Sequence, residues 1–384
     1  MKLASLILIA TSVVLRAAEP NVLVLDGPET NFMRDALKRV DCSFESLSKL
    51  DASALQPDHI LILSGKEPPL GDGDGKLIES YLQSGGSVLA IGGGAKWMLN
   101  AKLFDASGYY PTGTTIHQST FDGYHRVTFG YPMPKPYKNW AVGVPMLLRA
   151  TDGPLMRPGP RAVSLLGAGG PFSLAAFQRI GKGIALLIGP DPQGGNEYLT
   201  LDKPTVSLGS DLKTDLFLAN AIAWLRDPGC NLIPNSGFED AADTNDDKSH
   251  WEITLRNNAK SQWQHSEAPE GKVYLTLEGT KANSSASVSS YRPIVAEGGA
   301  QFTLSFRHKA TSAWKWEIAH FTSASEETRK ATKPQPLSVA GSATWQKSEV
   351  TLTIPNDSPY LAINARLDGI GTLSLDEITL KRKP

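Results

Sequence analysis

Cysteine is scarce in this sequence, because its 384 residues include only Cys42 and Cys230. Two cysteines exclude a disulfide-stapled scaffold and a zinc site built from several cysteines, and they leave open either one bridge or two separate thiols. An excess of charge of one sign is also missing, since 38 Lys and Arg accompany 39 Asp and Glu. This balance excludes a strongly basic nucleic-acid binder and a polybasic membrane-surface protein.

Long hydrophobic runs are confined to the start of the chain. Lys2 precedes an apolar run over residues 3–15, and the small residues Ala17 and Ala18 follow. This order is typical of a signal peptide, and the run is shorter than the ~20 apolar residues that span a bilayer. We therefore expect residues 1–18 to be a signal peptide and the mature protein to be secreted or periplasmic, with no membrane contact. The alternatives are a short membrane anchor and a buried first strand.

The composition predicts a folded protein of two or three domains, since 41% of the residues are hydrophobic and 20% are charged. The pattern changes near residue 229. Before that point, continuous apolar runs alternate with helical spacing, which predicts an α/β parallel-sheet domain over residues 19–228. Aromatic residues, Pro and Gly dominate an insertion at about 108–178. The predicted buried strands are 21–25, 59–63, 87–91 and 183–188, and the predicted helices are 30–40, 76–83, 95–100 and 214–226.

The second part of the chain, residues 229–384, predicts an all-β domain. Apolar and polar residues alternate in short segments with turn residues between them, as in an antiparallel sandwich. No helix longer than one turn is expected here. The predicted strands are 273–277, 300–308, 314–321, 349–354, 360–366 and 372–380.

Four sequence segments mark this second part. It opens with NLIPNSGFE at 231–239 and closes with TLSLDEITL at 372–380, with ATWQK at 343–347 and VTLTIP at 350–355 between them. The set resembles the carbohydrate-binding modules of the family 4/9 type. This resemblance implies a jelly-roll sandwich and a glycan or polysaccharide partner. It also implies a structural Ca²⁺ ion held by Glu239, Asp376 and the carbonyl group of Gly237; ordinary edge carboxylates are the alternative.

Candidate sugar-stacking rings come from the aromatic residues of this domain, because a sugar ring has an apolar face that stacks on exposed aromatic rings. In a strand, Trp314, Trp316, Ile318 and His320 share one face. If that face is outward, the two indoles form a stacking strip; if it is inward, they belong to the core. Trp263 and Tyr291 are further candidates for a binding groove, with the core as the alternative for each. Packing roles are expected for two other tryptophans, Trp251 and Trp345.

The first domain resembles the class I glutamine amidotransferase-like fold. Its third strand runs into the glycine turn Gly92-Gly93-Gly94, where active relatives carry a nucleophilic cysteine. By this resemblance Gly93 stands at the nucleophile position, Asp191 at that of a histidine and Gln193 at that of a glutamate. Thiolate attack needs a sulfur atom and a base, so the resemblance predicts a domain without this chemistry.

Two functional hypotheses follow. The first is an exported carbohydrate-binding protein whose amidotransferase-like domain is not catalytic. The second is a secreted hydrolase that acts on glycosyl bonds and is anchored to polysaccharide by its C-terminal module. A zinc site at His117, Asp122 and His125 is a weaker alternative, because their spacing is unusual for zinc. No cofactor besides the structural calcium is expected.

Overall fold

The computed structural model describes residues 22–27, 30–110, 116–118, 120–121, 123, 125–128, 147–149, 153–168, 170–189, 214–239, 250–265, 268–290, 292–323 and 330–384. The predicted signal peptide and the candidate residues Asp191, Gln193 and Tyr291 lie outside these ranges. Most of the regular structure in them is β-sheet. Among their helices, none is both long enough and apolar enough to cross a membrane.

The first part of the chain begins with alternating strands and helices and continues with short strands. A 3₁₀ turn at Arg126–Thr128 lies among the short strands. Its other elements are β1 (Val22–Leu25), α1 (Asn31–Arg39), β2 (Phe44–Leu47), β3 (Ile60–Leu63), α2 (Asp74–Ser84), β4 (Ser87–Ile91), α3 (Gly93–Asn100), β5 (Ala106–Tyr109), β6 (Ile116–Gln118), β7 (Thr120–Phe121), β8 (Leu147–Arg149), β9 (Leu155–Pro158), β10 (Val163–Gly167), β11 (Ser173–Ile180), β12 (Gly183–Ile188) and α4 (Thr214–Arg226).

The first sheet is mixed rather than wholly parallel. Five parallel strands lie in the order β2-β1-β3-β4-β12. Strands β11, β10 and β7 extend this sheet, and each runs antiparallel to its neighbour. The cause is the short turn at residues 181–182, where Gly181 has φ 61° and the chain reverses without a crossover helix. The predicted parallel sheet is thus confirmed for its centre and corrected at its edge.

The central strands are buried along their whole length because helices cover both faces of the sheet. Leu61 and Leu63 of β3 pack with α2 and α3, while Ile60 and Ile62 pack with α1 and α4. Continuous apolar runs are what a parallel strand covered on both faces requires. The carboxyl ends of these strands meet at one edge, and Gly92 begins its turn there.

The second part of the chain contains only strands and loops among its described residues. The strands are β13 (Trp251–Arg256), β14 (Lys260–Gln264), β15 (Tyr274–Gly279), β16 (Ser285–Ser290), β17 (Ile294–Val295), β18 (Gln301–Ala310), β19 (Trp314–Phe321), β20 (Gln335–Val339), β21 (Ser342–Thr353), β22 (Tyr360–Asp368) and β23 (Gly371–Arg382).

These strands form a two-layer antiparallel sandwich, as predicted. The second sheet has the order β13-β16-β22-β19-β20, with β17 also paired to β22. The third sheet has the order β14-β15-β23-β18-β21. Alternate apolar residues of both sheets, such as Leu275 and Ile363, fill the space between them. Every strand therefore has an inner face in the core and an outer face.

The two parts of the chain meet through a charged cluster. Arg179 donates from Nε to both carboxylate oxygens of Glu297, at 3.0 and 2.8 Å. Arg382 donates from Nε to the same carboxylate at 2.8 Å. The hydroxyl group of Tyr360 also donates to the carbonyl of Ser164 at 3.2 Å. The three charged side chains are 17–25% exposed, so this contact is largely shielded from water.

Candidate functional site

The tryptophans of strand β19 lie in the core of the sandwich. Trp314 is 3% exposed and Trp316 is not exposed, and both share the inner face with Ile318. Phe306 of the opposite sheet packs against both, with ring centroids at 5.5 and 5.2 Å. The expected exposed stacking strip is therefore wrong, and the alternative of a core position is what the structure shows. The outer face of β19 carries Lys315 and Glu317 instead.

The other predicted sugar contacts of the second domain are also enclosed or undescribed. His320 is 7% exposed, and burial lowers the pKa of its imidazole. Trp263 packs against Phe238, with ring centroids at 5.5 Å, and is only partly exposed. Tyr291 lies outside the described residues. His320 is buried, and Trp263 lies directly opposite the buried Leu275 and packs against the core, which corrects the expectation for both residues.

An aromatic pair that the sequence pattern did not predict lies on the outer face of the third sheet. The rings of Tyr274 on β15 and Trp345 on β21 meet at a right angle, with centroids 5.2 Å apart. Two strands, β23 and β18, lie between β15 and β21. The rings therefore meet above these two strands. Both residues are partly exposed, so the packing role expected for Trp345 is wrong.

Small hydroxyl residues form the floor between these rings. Thr276 lies directly opposite Ser374, and their hydroxyl oxygens are 3.0 Å apart. Ser374 lies directly opposite Lys309 on the next strand. Although it belongs to the outer face, Ser374 is only 8% exposed, because the two rings meet above its strand. We call the surface formed by Tyr274, Thr276, Ser374, Lys309 and Trp345 the aromatic groove.

The sequence contained a signal for half of this groove. Leu275 and Leu277 are apolar and alternate with Tyr274 and Thr276, and both leucines are fully buried. Strand alternation alone therefore places Tyr274 on the outer face. The contact with Trp345 could not be found in this way, because it joins strands that are not neighbours.

A group of carboxylates lies beside the groove, at the bulge of β23. Asp376 has no exposure, and its carboxylate accepts hydrogen bonds from the backbone N–H groups of Glu270 and Glu377 at 3.1 and 2.8 Å. Burial, with smaller effects of the charges of Glu270 and Glu239, raises the pKa of Asp376 to about 6. Among the described residues, no cationic side chain forms an ion pair with Asp376.

Glu239 is held close to this buried carboxylate. Its Oε1 accepts hydrogen bonds from the backbone N–H groups of Lys272 and Val273 at 2.7 and 3.0 Å. A Cβ atom on Gly237 would lie 3.7 Å from Oδ1 of Asp376 and 3.9 Å from Cγ of Glu239. The structure therefore brings Gly237, Glu239 and Asp376 together. In the described part of the chain, no group of three or more His, Cys, Asp or Glu side chains is arranged to hold a metal.

The glycine turn after β4 has the geometry of a strained strand-to-helix elbow. Gly92 has φ 59° and ψ −115°, and α3 begins at the next residue. A Cβ atom on Gly93 would lie 2.0 Å from the carbonyl oxygen of Lys66, so this position has no room for a side chain. Gly92 is therefore the residue of this elbow with a positive φ, and Gly93 is the first residue of α3. Asp191 and Gln193 lie outside the described residues.

The weaker zinc hypothesis finds no support at His125. This residue is 2% exposed and packs against Trp224 and Phe177, with ring centroids at 4.5 and 5.3 Å. Burial lowers the pKa of His125 to about 3, and its Nδ1 accepts a hydrogen bond from the backbone N–H of Val127 at 3.3 Å. The structure thus places His125 in the core. Asp122 lies outside the described residues, and so does the side chain of His117.

No family model and no curated protein sequence matches the chain. One similar solved structure is TmCBM61, a family 61 carbohydrate-binding module in complex with β-1,4-galactotriose. The two chains are 15% identical with a TM-score of 0.30, and the match covers 40% of this chain and 99% of that one. A family 11 carbohydrate-binding module from Clostridium thermocellum, in complex with a β-1,3-1,4-mixed-linked tetrasaccharide, has 12% identity, TM-score 0.28, and coverage of 34% and 88%.

The enzymatically active domain of tailspike protein 4 from bacteriophage CBA120 is also similar, with 12% identity and TM-score 0.33. That match covers 40% of this chain but only 21% of the phage protein. The structural neighbours over about a third of the chain are thus mostly carbohydrate-binding modules.

Proposed function

We propose that this protein is exported and binds a glycan through the aromatic groove of its C-terminal sandwich. The observation that carries the proposal is the right-angled pair of Tyr274 and Trp345 above a floor of hydroxyl groups. Export is supported by the start of the chain, where Lys2 is followed by the apolar run 3–15 and the small residues Ala17 and Ala18. The resemblance of segments 231–239 and 372–380 to carbohydrate-binding modules supports the choice of ligand class.

The groove has the two kinds of group that a sugar needs. A partly exposed aromatic ring can stack against the apolar C–H face of a pyranose, and a second ring at a right angle limits the position of the sugar along the first. Hydroxyl and ammonium groups nearby can form hydrogen bonds with the sugar hydroxyls. Thr276 and Lys309 supply these groups, and the largely buried hydroxyl of Ser374 lies 3.0 Å from that of Thr276. The buried Trp314 and Trp316 do not contribute, because no ligand reaches them.

We further propose that the N-terminal domain has no amidotransferase chemistry and serves as a scaffold. Neither Gly93, the predicted nucleophile position, nor the elbow residue Gly92 has a side chain, and thiolate attack requires a sulfur atom there. Neither cysteine substitutes for it. Cys42 is 8% exposed, and burial raises the pKa of the Cys230 thiol to about 11, which disfavours the reactive thiolate.

Affinity electrophoresis of the full mature chain on a panel of polysaccharides tests the binding proposal. We expect retardation on at least one polymer and loss of retardation in Trp345→Ala and Tyr274→Ala. Tyr109→Ala is the matched control, because Tyr109 is a 54% exposed tyrosine in the other domain. Migration that no polymer retards, or retardation that survives both groove variants, would contradict the proposal. Reducing-sugar release from the same panel would favour the alternative of a secreted hydrolase.

A structural Ca²⁺ ion at Asp376, Glu239 and Gly237 completes the proposal. A buried carboxylate with a raised pKa beside a second carboxylate is destabilising unless a cation balances it, and hard oxygen ligands suit Ca²⁺. Removal of Ca²⁺ with a chelator should lower the melting temperature of the wild-type chain. At a hundredfold excess over its dissociation constant, bound Ca²⁺ would contribute about 2.7 kcal/mol to stability. Asp376→Asn should not respond to the chelator; an unresponsive wild type would refute the site.

A further inference from the structure

The outer face of the third sheet places positive charges side by side next to the aromatic groove. Arg307 on β18 lies directly opposite Lys347 on β21. Lys309 follows two residues after Arg307, on the same face and opposite Ser374. Like charges directly opposite each other destabilise a sheet. Arg307 and Lys347 therefore need carboxylate partners, and Lys309 adds a third positive charge beside them.

Two of these cations are balanced within the protein. Arg307 donates from Nε to Glu377 at 2.5 Å, and Nζ of Lys347 lies 3.4 Å from a carboxylate oxygen of Glu349. Lys309 is exposed, and in the described part of the chain no carboxylate pairs with it. Three cations thus accompany two partner carboxylates, which leaves the charge of Lys309 uncompensated.

The carboxylates at the bulge of β23, those of Asp376, Glu239 and Glu270, form no ion pair with Lys309 in the described part of the chain. Asp376 lies directly opposite Arg307, but it is fully buried and its oxygens accept hydrogen bonds from two backbone N–H groups. Farther along the sheet, Lys260 and Glu278 lie directly opposite each other, so their charges cancel. Two cations of this face are thus without a carboxylate partner in the described part of the chain. Lys381 lies opposite Thr303 at the far end of β23, whereas Lys309 lies on one of the two strands above which the rings of Tyr274 and Trp345 meet.

We propose that the glycan bound in the aromatic groove carries anionic groups, and that Lys309 recognises one of them. The proposal rests on the proposed function, since it names the substrate class of the same groove. A sugar stacked on either ring would bring its ring substituents close to Lys309. A carboxylate or a sulfate group there would form a charge-assisted hydrogen bond with the ammonium group, which a neutral sugar hydroxyl cannot match. The neutral glycans are thereby disfavoured.

The test compares each acidic polymer with its neutral counterpart on the full mature chain. The probes are polygalacturonate, alginate and glucuronoxylan, each beside its carboxyl-reduced form, together with a sulfated galactan beside its desulfated form. We expect at least one acidic polymer to bind about tenfold more tightly than its neutral counterpart, as one hydrogen bond to a charged group implies. Added salt should weaken that binding. The pair that shows the preference identifies carboxylate or sulfate as the group.

Variants separate this inference from the proposed function. Lys309→Gln should remove most of the preference for the acidic polymer, because binding of the acidic form falls further than binding of its neutral counterpart. Lys333→Gln removes the same charge from an exposed lysine in the loop before β20 and is the matched control. Equal binding of acidic and neutral forms, with loss of both in Trp345→Ala, would overturn the inference and keep the proposed function. Binding to no polymer would overturn both, and a preference that survives Lys309→Gln would overturn the role of Lys309.

Discussion

Removal of the carboxylate of Glu297 is expected to destabilise the protein more than removal of any surface carboxylate. Two guanidinium groups, those of Arg179 and Arg382, share this carboxylate through three hydrogen bonds of 2.8–3.0 Å. The side chains are 18% exposed for Glu297, 17% for Arg179 and 25% for Arg382. In Glu297→Ala, two largely buried positive charges would face each other without a counterion.

The magnitude follows from this burial. Loss of one partner of a buried ion pair costs about 3–5 kcal/mol, whereas an exposed pair is worth about 0–1 kcal/mol. Because the three side chains are partly exposed, Glu297→Ala should lower the free energy of unfolding by about 3 kcal/mol, the lower end of the range for buried pairs. Glu349→Ala is the matched control, because its pair with Lys347 is 49% and 57% exposed and should cost under about 1 kcal/mol. Urea denaturation followed by circular dichroism measures both. Equal midpoints for the two variants would refute the reasoning.

Two further predictions concern the N-terminal domain. Because burial lowers the pKa of His125 to about 3 in the folded state, the unfolded chain takes up the proton first as the pH falls below 6.5. The free energy of unfolding should therefore decrease between pH 6.5 and 3, by about 3 kcal/mol at pH 4. His125→Leu should flatten this part of the plot of unfolding free energy against pH. An unchanged plot would contradict the assignment of the effect to His125. At the elbow, Gly93→Ala should cost about 3 kcal/mol or more in thermal unfolding, because its Cβ would meet the backbone of Lys66 and Gly65. Gly75→Ala, in a helix position with open space, should instead stabilise by about 0.5–1 kcal/mol, and a similar loss in both variants would count against the close approach.

Much of the fold could be predicted because burial leaves a direct mark on the sequence. The continuous apolar runs predicted four strands that match β1, β3, β4 and β12 to within one residue. The helix predicted at 214–226 has the same bounds as α4. The antiparallel edge of the first sheet was missed, because β11 is as buried as the parallel strands and its direction is set by a two-residue turn.

The candidate site was harder to predict because alternation does not identify the inner face of a strand such as β19, where both faces carry large side chains. In β19, Trp314 and Trp316 alternate with Lys315 and Glu317, and either assignment satisfies the pattern. Phe306 of the opposite sheet packs against both tryptophans, which shows that their face is the inner one. That contact belongs to the tertiary structure and leaves no mark in the alternation of β19. The same limit applies to Trp345, whose partner Tyr274 lies three strands away in the sheet.

The most direct test of the central claim is a nuclear magnetic resonance titration of the tryptophan indole N–H signals. The chain has eight tryptophans, and Trp345→Phe assigns the signal of Trp345. The full mature chain is titrated with oligosaccharides prepared from the acidic polymers. A shift of the Trp345 signal, with those of the buried Trp314 and Trp316 unmoved, is the result that the aromatic groove predicts. Binding that leaves the Trp345 signal in place would contradict it.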